Sequence, residues 1–156
     1  MVYLLIVVAF AFDRLSKWWA VSYLAQHGPI SLFDVLIFRA TLNRGMVFGL
    51  FQGVGSWVGW LSIIIVAGLL LYLTRLPRGA TLMRVGLALI IGGALGNLVD
   101  RVTAGEVVDF IATSFMPWVF NLADVFVNGG MLLFASGSLL KPPHRPSSLP
   151  DNSTSS

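Results

Sequence analysis

Cysteine is absent from the 156 residues, which excludes disulfide bonds, thiolate nucleophiles and cysteine-ligated metals. The two histidines, His27 and His144, lie in separate polar segments and form no HExxH motif, so a zinc protease site is not predicted. Charge is scarce as well. Asp, Glu, Lys and Arg make up 11% of the chain, against about 25% in an ordinary soluble domain. These shortages point away from a soluble enzyme.

What the sequence does contain is apolar. Hydrophobic residues make up 56% of the chain, and the mean hydropathy is +0.84. We therefore predict a membrane protein. The net charge of +3 and the pI near 9.8 do not indicate nucleic-acid binding, because the basic residues flank apolar segments. There they are expected to set topology and to contact anionic membrane lipids.

Four apolar segments predict the fold class, an all-α membrane protein with a small exoplasmic β-rich element between helices 1 and 2. Residues 54–74 contain no charged residue and suffice to cross roughly 30 Å of hydrocarbon. The predicted spans of this single membrane-embedded domain, residues 1–140, are about 1–24, 54–74, 82–99 and 117–140. The third span contains Gly92 and Gly96, whose spacing predicts a close helix approach.

Two segments outside the spans have different compositions. Residues 26–53 combine Gly, Pro, Asp and Asn with short β-favouring runs, which predicts a strand-rich element on the membrane surface. We expect its aromatic side chains to face lipid; these are Phe33, Phe38, Phe48 and Phe51. The tail, residues 141–156, is rich in Pro and Ser and is predicted to be disordered.

The distribution of basic residues predicts the orientation. One side of the predicted membrane domain carries more of them than the other. Five flank the first side, Arg75, Arg78, Arg84, Lys141 and Arg145, and three lie on the second, Arg39, Arg44 and Arg101. Both termini are therefore expected in the cytoplasm, with 26–53 and 101–116 outside.

Acidic residues are concentrated in one stretch, residues 96–124. Four of the seven acids of the chain lie there: Asp100, Glu106, Asp109 and Asp124. An ionised group costs at least a few kcal/mol near the bilayer centre, so such a cluster marks a candidate functional site. Asp109 and Asp124 are separated by 14 residues and can approach each other. Two close carboxylates can share one proton and activate a water against a carbonyl group.

Further polar pairs have helical spacing. Asp13 and Lys17 are four residues apart, as are Asn97 and Arg101, and Asn121 lies three residues before Asp124. Spacing alone leaves several interpretations open. Asp13–Lys17 and Asp100–Arg101 are candidates for purely structural ion pairs. The acids could also serve a small non-catalytic proton-linked transporter or an assembly factor. A Ser16–Lys17 catalytic dyad is disfavoured, because adjacent helical residues point in different directions.

Five motifs occur in a set order: DRLSK at 13–17, NRGMVF at 43–48, GNLVDR at 96–101, GEVVDF at 105–110 and FNLAD at 120–124. Together they resemble the motif set of the lipoprotein signal peptidases, signal peptidase II. The resemblance implies that Asp109 and Asp124 are the catalytic aspartates. It also implies supporting or substrate-contacting roles for Asp13, Lys17, Asn43, Gly45, Asn97, Arg101 and Asn121.

The resemblance also implies a reaction and a location. Such an intramembrane aspartic endopeptidase removes the signal peptide from diacylglyceryl-modified prolipoproteins, cleaving just before the lipidated cysteine. It is expected as a monomer in the bacterial cytoplasmic (inner) membrane, with its active site toward the exoplasmic side, and without a metal or organic cofactor. The chain departs from the family pattern at Ser16, where Thr is usual, and at Met46 and Val47, where small residues are frequent.

Overall fold

The structure is a computed structural model that describes residues 1–44 and 55–140. Gly45, Phe48, Phe51 and the predicted tail lie outside these ranges. Within the two described ranges, five helices and four strands follow in chain order: α1 (Val2–Trp19), α2 (Ala25–His27), β1 (Ile30–Leu32), β2 (Leu36–Asn43), α3 (Gly55–Arg75), α4 (Thr81–Thr103), β3 (Val107–Thr113), β4 (Val119–Phe120) and α5 (Leu122–Leu139). A π-helical turn, Ala20–Leu24, joins α1 to α2.

Helix α4 lies at the centre and packs against α1, α3 and α5. Glycines allow the closest of these approaches. A Cβ atom at Gly92 would lie 2.7 Å from Ala9 Cβ of α1, and one at Gly93 would lie 2.5 Å from Ala123 O of α5. A Cβ atom at Gly96 would collide with the Asp13 carboxylate. The close approach predicted at Gly92 and Gly96 is therefore confirmed, and α1 is the helix that approaches.

The outward faces of the helices are apolar. Helices α4 and α5 are long and apolar enough to cross a membrane, with mean hydropathies of 1.8 and 1.4. Large hydrophobic side chains are exposed on α3 and α5, among them Ile64 and Leu132. Such surfaces are unfavourable in water and favourable in lipid. The chain is thus a mostly helical protein with a membrane-compatible exterior and a small antiparallel sheet.

The sheet corrects part of the predicted fold. Its strand order is β1-β2-β3-β4, and all neighbours are antiparallel. Only β1 and β2 come from the segment between the first two predicted spans, whereas β3 and β4 lie between α4 and α5. Segment 101–116, predicted only as an outward connection, therefore contains the whole of β3. Aspartate is uncommon in strands, but pairing with β2, where Thr41 faces Asp109, overrides that preference.

Helix α5 begins at Leu122, five residues later than the fourth span predicted from residue 117. Two local interactions explain the difference. Val119 and Phe120 pair with β3 as strand β4, and Asn121 caps the helix through its side chain, which accepts from Asp124 N. Residues 117–120 resemble a helix start by composition, but residues 119 and 120 belong to the sheet.

The two described aromatic residues of the sheet that were predicted to face lipid differ in their surroundings. Phe33 is 94% exposed at the tip of the β1–β2 hairpin. Phe38 instead turns inward, with its ring edge-on to Trp19 at a centroid distance of 5.8 Å. Trp19 also contacts Phe110 of β3. These rings pack the sheet onto the end of α1, and this fixes the sheet next to the polar cluster described below.

Candidate active site

Asp109 lies on β3, within the segment 101–116 that was predicted as an outward connection. Its side chain is buried, with 3% exposure. Both carboxylate oxygens accept hydrogen bonds from amides: Asn121 Nδ2 donates to Oδ1 at 2.6 Å, and Asn43 Nδ2 donates to Oδ2 at 2.9 Å. Asn43 is the last residue of β2. Pairing of β2 with β3 therefore brings a predicted supporting residue to a predicted catalytic one.

Asp124 lies in the first turn of α5 and is less buried than Asp109. It forms a capping box with Asn121. The Asp124 N–H donates to Asn121 Oδ1 at 3.0 Å, and the Asn121 N–H donates to Asp124 Oδ2 at 3.2 Å. Asn97 Nδ2 of α4 donates to the other oxygen, Oδ1, at 3.0 Å. Three hydrogen bonds, two to its carboxylate and one from its backbone N–H, thus hold Asp124 at the start of α5.

Asn121 connects the two aspartates. Its Nδ2 group donates to Asp109, and its Oδ1 atom and backbone N–H bond Asp124. The same Nδ2 group also lies 3.1 Å from Asn97 Oδ1. Asn121 is fully buried. The structure thus places Asp109 and Asp124 beside one buried asparagine, which bonds both carboxylates.

Lys17 lies behind this arrangement and is 1% exposed. Its ammonium nitrogen lies 3.0 Å from Asp13 Oδ2 and 2.8 Å from Asp100 Oδ2, and it donates to Asn97 Oδ1 at 2.6 Å. The predicted Asp13–Lys17 pair is confirmed. A lysine ammonium has three donors and no acceptor, and here it faces two carboxylates and one amide carbonyl. Because Lys17 can only donate, Asn97 must turn its carbonyl toward Lys17 and its amide nitrogen toward Asp124.

Two residues of this network were given no role in the site from the sequence, Asp100 and Arg14. Asp100 forms ion pairs with Arg14 and Lys17 and accepts from the Val108 N–H at 3.4 Å. It does not form the strut with Arg101 that their adjacency suggested. A usable signal was present, since Arg14 and Lys17 are three apart and share a face of α1.

Asp13 and Arg101 complete the surroundings. Asp13 is fully buried, and its Oδ1 atom accepts the Ala123 N–H at 2.9 Å, which ties α1 to the start of α5. Arg101 is half-buried, donates to Asn97 O at 3.4 Å, and lies within electrostatic range of Asp109 and Asp124. Of the predicted site residues within the described ranges, all are thus members of one cluster. Gly45 lies outside those ranges.

The charges of this cluster nearly balance. It contains four carboxylates, Asp13, Asp100, Asp109 and Asp124, and three cations, Arg14, Lys17 and Arg101. A single bound proton makes the cluster neutral. Unbalanced charge is costly away from water, so the arrangement favours retention of one proton.

Asp109 is suited to hold that proton. Burial, aided by the charge of Asp124, raises the pKa of its carboxyl group to about 6, against the lowering effect of the Asn43 and Asn121 amides. Among residues 1–44 and 55–140, no three His, Cys, Asp or Glu side chains are grouped to hold a metal ion. The chemistry the cluster offers is that of one protonated and one ionised carboxylate beside fixed amides.

Comparison with known proteins identifies relatives of this chain. Residues 5–140 match the family model described as signal peptidase (SPase) II. A lipoprotein signal peptidase of Geobacillus thermodenitrificans is 40% identical over 136 residues, covering 84% of each chain. One from Caulobacter vibrioides is 40% identical over 147 residues, covering 88% of this chain and 86% of the relative.

The fold is likewise shared with solved structures. A bacterial membrane enzyme determined by the in meso method at 2.3 Å resolution superposes with a TM-score of 0.80 and 26% sequence identity, covering 95% of this chain and 93% of the other. A second, at 1.9 Å resolution, gives a TM-score of 0.79 and 29% identity, with 90% and 93% coverage. Sequence and fold agree over nearly the whole described chain, and the protein therefore belongs to the signal peptidase II family.

Proposed function

We propose that this chain is an aspartic peptidase that removes signal peptides from diacylglyceryl-modified prolipoproteins, with Asp109 and Asp124 as its catalytic pair. One observation carries the proposal: a single asparagine, Asn121, bonds both carboxylates within a cluster that one proton makes neutral. Aspartic catalysis requires this state, one carboxylate with a proton and one without. Membership of the signal peptidase II family supports the substrate class.

The environments of the two aspartates support different roles. Asp124, at a helix N-terminus with two donors on its carboxylate, is the ionised base and takes a proton from the attacking water. Asp109, buried and with a raised pKa, is the acid and donates its proton to the carbonyl oxygen of the scissile bond. The water oxygen bonds to the carbonyl carbon and forms a neutral tetrahedral diol.

Breakdown of the diol reverses the roles. Asp124, now protonated, gives its proton to the leaving nitrogen as the C–N bond breaks. Asp109 takes back the proton from a diol hydroxyl as the carbonyl re-forms. Both carboxylates return to their starting states, so water is consumed and no other co-reactant is needed. Asn97, Asn121 and Asn43 hold the carboxylates in place and transfer no proton.

The proposed topology has four spans, α1, α3, α4 and α5, with both termini in the cytoplasm. Helix α1 carries three charged residues, but Asp13 and Lys17 are buried and Arg14 pairs with Asp100. Its remaining outward residues, including Phe12 and Leu15, are apolar and exposed. The sheet and the catalytic pair then lie toward the exoplasmic side, where the cleavage site of a membrane-anchored prolipoprotein would reach them.

Purified protein incubated in detergent with a synthetic diacylglyceryl-modified prolipoprotein tests the proposal by release of the signal peptide. Wild type should cleave before the lipidated cysteine, and Asp109→Asn and Asp124→Asn should each lose cleavage. Single losses should be nearly as large as the double loss, because the pair acts as a unit. Near-normal cleavage by Asp109→Asn, or loss of cleavage on adding EDTA, would show that the mechanism is not aspartic.

A matched control variant is Glu106→Gln. Glu106 lies three residues before Asp109 and pairs with the exposed Arg44 rather than with the cluster. Its loss should leave cleavage within a factor of about two, since exposed ion pairs contribute little. Proton flux into proteoliposomes, measured without substrate, addresses the transporter alternative. Flux that depended on Asp109 without any cleavage would favour transport.

A further inference from the structure

Asn128 is an unusual residue for its position. It lies in α5, one helical turn beyond Asp124, and its side chain is exposed. Among the described residues of α3, α4 and α5, it is the one exposed carboxamide. Its neighbours on the same stripe of the helix, Val125 and Leu132, are exposed and apolar. A polar amide on a lipid-facing surface is costly unless it has hydrogen-bonding partners.

The hydrogen bonds of Asn128 are only partly satisfied. Its Nδ2 atom donates to Asp124 O at 2.8 Å, which uses one of the two amide hydrogens. Among the residues that the structure describes, none donates to its side-chain carbonyl. One acceptor group and one N–H therefore remain available on the outer surface of α5. A peptide backbone presents the complementary pair, one N–H and one C=O in each residue.

A substrate in this site needs such a partner. To reach a pair of aspartates the scissile segment must be extended, and an extended chain in a bilayer has no internal partners for its backbone groups. The protein must supply them. Space for a chain is present, since a Cβ atom built at Gly129 meets no atom within 4 Å. The backbone of α5 can therefore be approached closely beside Asn128.

The depth of Asn128 indicates which part of the substrate it would meet. Four residues of helix correspond to about 6 Å along the axis, or about two residues of extended chain. Helix α5 runs from the catalytic pair into the membrane in the proposed topology. The segment at that depth belongs to the signal peptide, on the amino side of the scissile bond.

We propose that Asn128 binds the substrate backbone about two residues before the scissile bond, and so acts as a positioning residue for the signal-peptide side of the cleavage site. The inference rests on the proposed function and adds a contact that the catalytic pair does not provide. Its side chain holds the extended segment against α5 while Asp109 and Asp124 act on the next peptide bonds. It takes no part in proton transfer.

Kinetics of Asn128→Leu with the synthetic diacylglyceryl-modified prolipoprotein test the contact. Leucine fits a lipid-facing helix position, so folding should be preserved, and a thermal unfolding scan checks this. We expect kcat/KM to fall about tenfold, the loss typical of one or two hydrogen bonds, mainly through KM. The shape of the pH profile should not change. Ser136→Leu is the matched control, because Ser136 is an exposed, back-bonded residue two turns deeper in α5, and it should cleave normally.

A modified substrate separates backbone binding from a general change in the helix surface. An N-methyl group on the peptide nitrogen two residues before the scissile bond removes the donor that Asn128 would accept. This substrate should be cleaved about tenfold less well by wild type, and Asn128→Leu should then cause little further loss. Fully additive losses, a normal kcat/KM for Asn128→Leu, or an equal loss in Ser136→Leu would each overturn the proposal.

The two proposals fail in different ways. If Asp109→Asn still cleaves, the aspartic mechanism is wrong, whatever Asn128 does. If Asp109→Asn is inactive while Asn128→Leu behaves as wild type, the mechanism stands and only the positioning role is wrong.

Discussion

The ammonium group of Lys17 donates to the side-chain carbonyl of Asn97 at 2.6 Å, and the amide nitrogen of the same asparagine donates to Asp124 at 3.0 Å. Asn97 lies between a cation that can only donate and a carboxylate that can only accept. These two partners therefore fix the orientation of the Asn97 side-chain amide. Lys17 thereby determines that Asp124 faces a donor and not a repelling carbonyl.

The first prediction follows from this relationship. Lys17→Met should keep most of the side-chain volume but release Asn97 to rotate, so cleavage should fall about tenfold to a hundredfold, with residual turnover. The positive charge of Lys17 also lowers the pKa of Asp109, so the alkaline limb of kcat/KM should move to higher pH. Asn97→Leu is the companion variant. It should lose activity with a smaller movement of that limb, because it leaves the Lys17 charge in place. An alkaline limb at the same pH in wild type and Lys17→Met would contradict the proposed effect of the Lys17 charge on the pKa of Asp109.

The second prediction concerns the pH dependence of cleavage. If Asp109 must be protonated and Asp124 ionised, kcat/KM should be bell-shaped, with an alkaline limb near pH 6 set by the Asp109 carboxyl in the free enzyme. Bound substrate excludes water and should move the corresponding limb of kcat upward. Rates measured between pH 4 and 9 test this. A kcat/KM that rises steadily to pH 9 would be incompatible with these roles, and any fitted pKa values describe the pair.

The third prediction is that Asp109→Asn stabilises the fold at neutral pH while abolishing cleavage. The Asp109 pKa is about 6 in the folded protein against an ordinary value of 3.8. The folded state therefore binds the proton more tightly, and stability falls as pH rises from about 4 to about 6. The difference is on the order of 3 kcal/mol at neutral pH. Asparagine does not ionise and escapes this loss.

Melting temperatures of both proteins between pH 4 and 8 measure that effect. The advantage of Asp109→Asn over wild type should grow between pH 4 and 6 and then level off. Any mismatch of the new amide with Asn43 or Asn121 adds a constant that does not vary with pH. A difference that is flat across the range would show that Asp109 is not desolvated in the folded protein.

The fourth prediction compares two ion pairs. Asp100→Ala leaves Lys17 and Arg14 without a shared carboxylate in a buried setting, so it should destabilise the protein by about 3–5 kcal/mol. Glu106→Ala removes the partner of Arg44, whose side chain is 75% exposed, and should cost at most about 1 kcal/mol. Denaturation in detergent micelles measures both. Similar losses for the two variants would show that Asp100 is solvated.

The fifth prediction concerns topology. Reporter fusions at residue 78 and after residue 145 should behave as cytoplasmic, because the basic residues on that side set the orientation. A fusion in the β1–β2 hairpin, at residue 34, should report the exoplasmic side. A cytoplasmic signal from the hairpin would reverse the proposed orientation and would place the catalytic pair on the wrong face for exported lipoproteins.

Features that depend on residues close in the chain could be predicted from the sequence. The Asp13–Lys17 pair follows from helical spacing, and long apolar runs located α3 and α4 to within a few residues at most boundaries. The motif set includes both Asp109 and Asp124, which the structure links through Asn121. These features depend on neighbours close in the chain or on a complete set of family motifs, and both are visible without coordinates.

What could not be predicted depends on distant contacts. Arg14 and Asp100 are 86 positions apart, and no spacing rule connects them until the packing of α1 on α4 is known. Strand β3, which carries Asp109, was not predicted because it is stabilised by β2, from a different part of the chain. The start of α5 was placed too early for the same reason, since β4 exists only by pairing with β3.

The contact at Gly93 has a consequence for work in different lipids. A single methyl group at this residue would lie 2.5 Å from the carbonyl of Ala123, the residue directly before Asp124, so α4 and α5 touch backbone to backbone beside the catalytic pair. Changes in bilayer thickness act on helix tilt and on outward side chains. Because α4 and α5 are in backbone contact here, changes in bilayer thickness would move the two helices together. The Asn97–Asp124 hydrogen bond, which joins α4 to α5, should therefore be little affected by bilayer thickness.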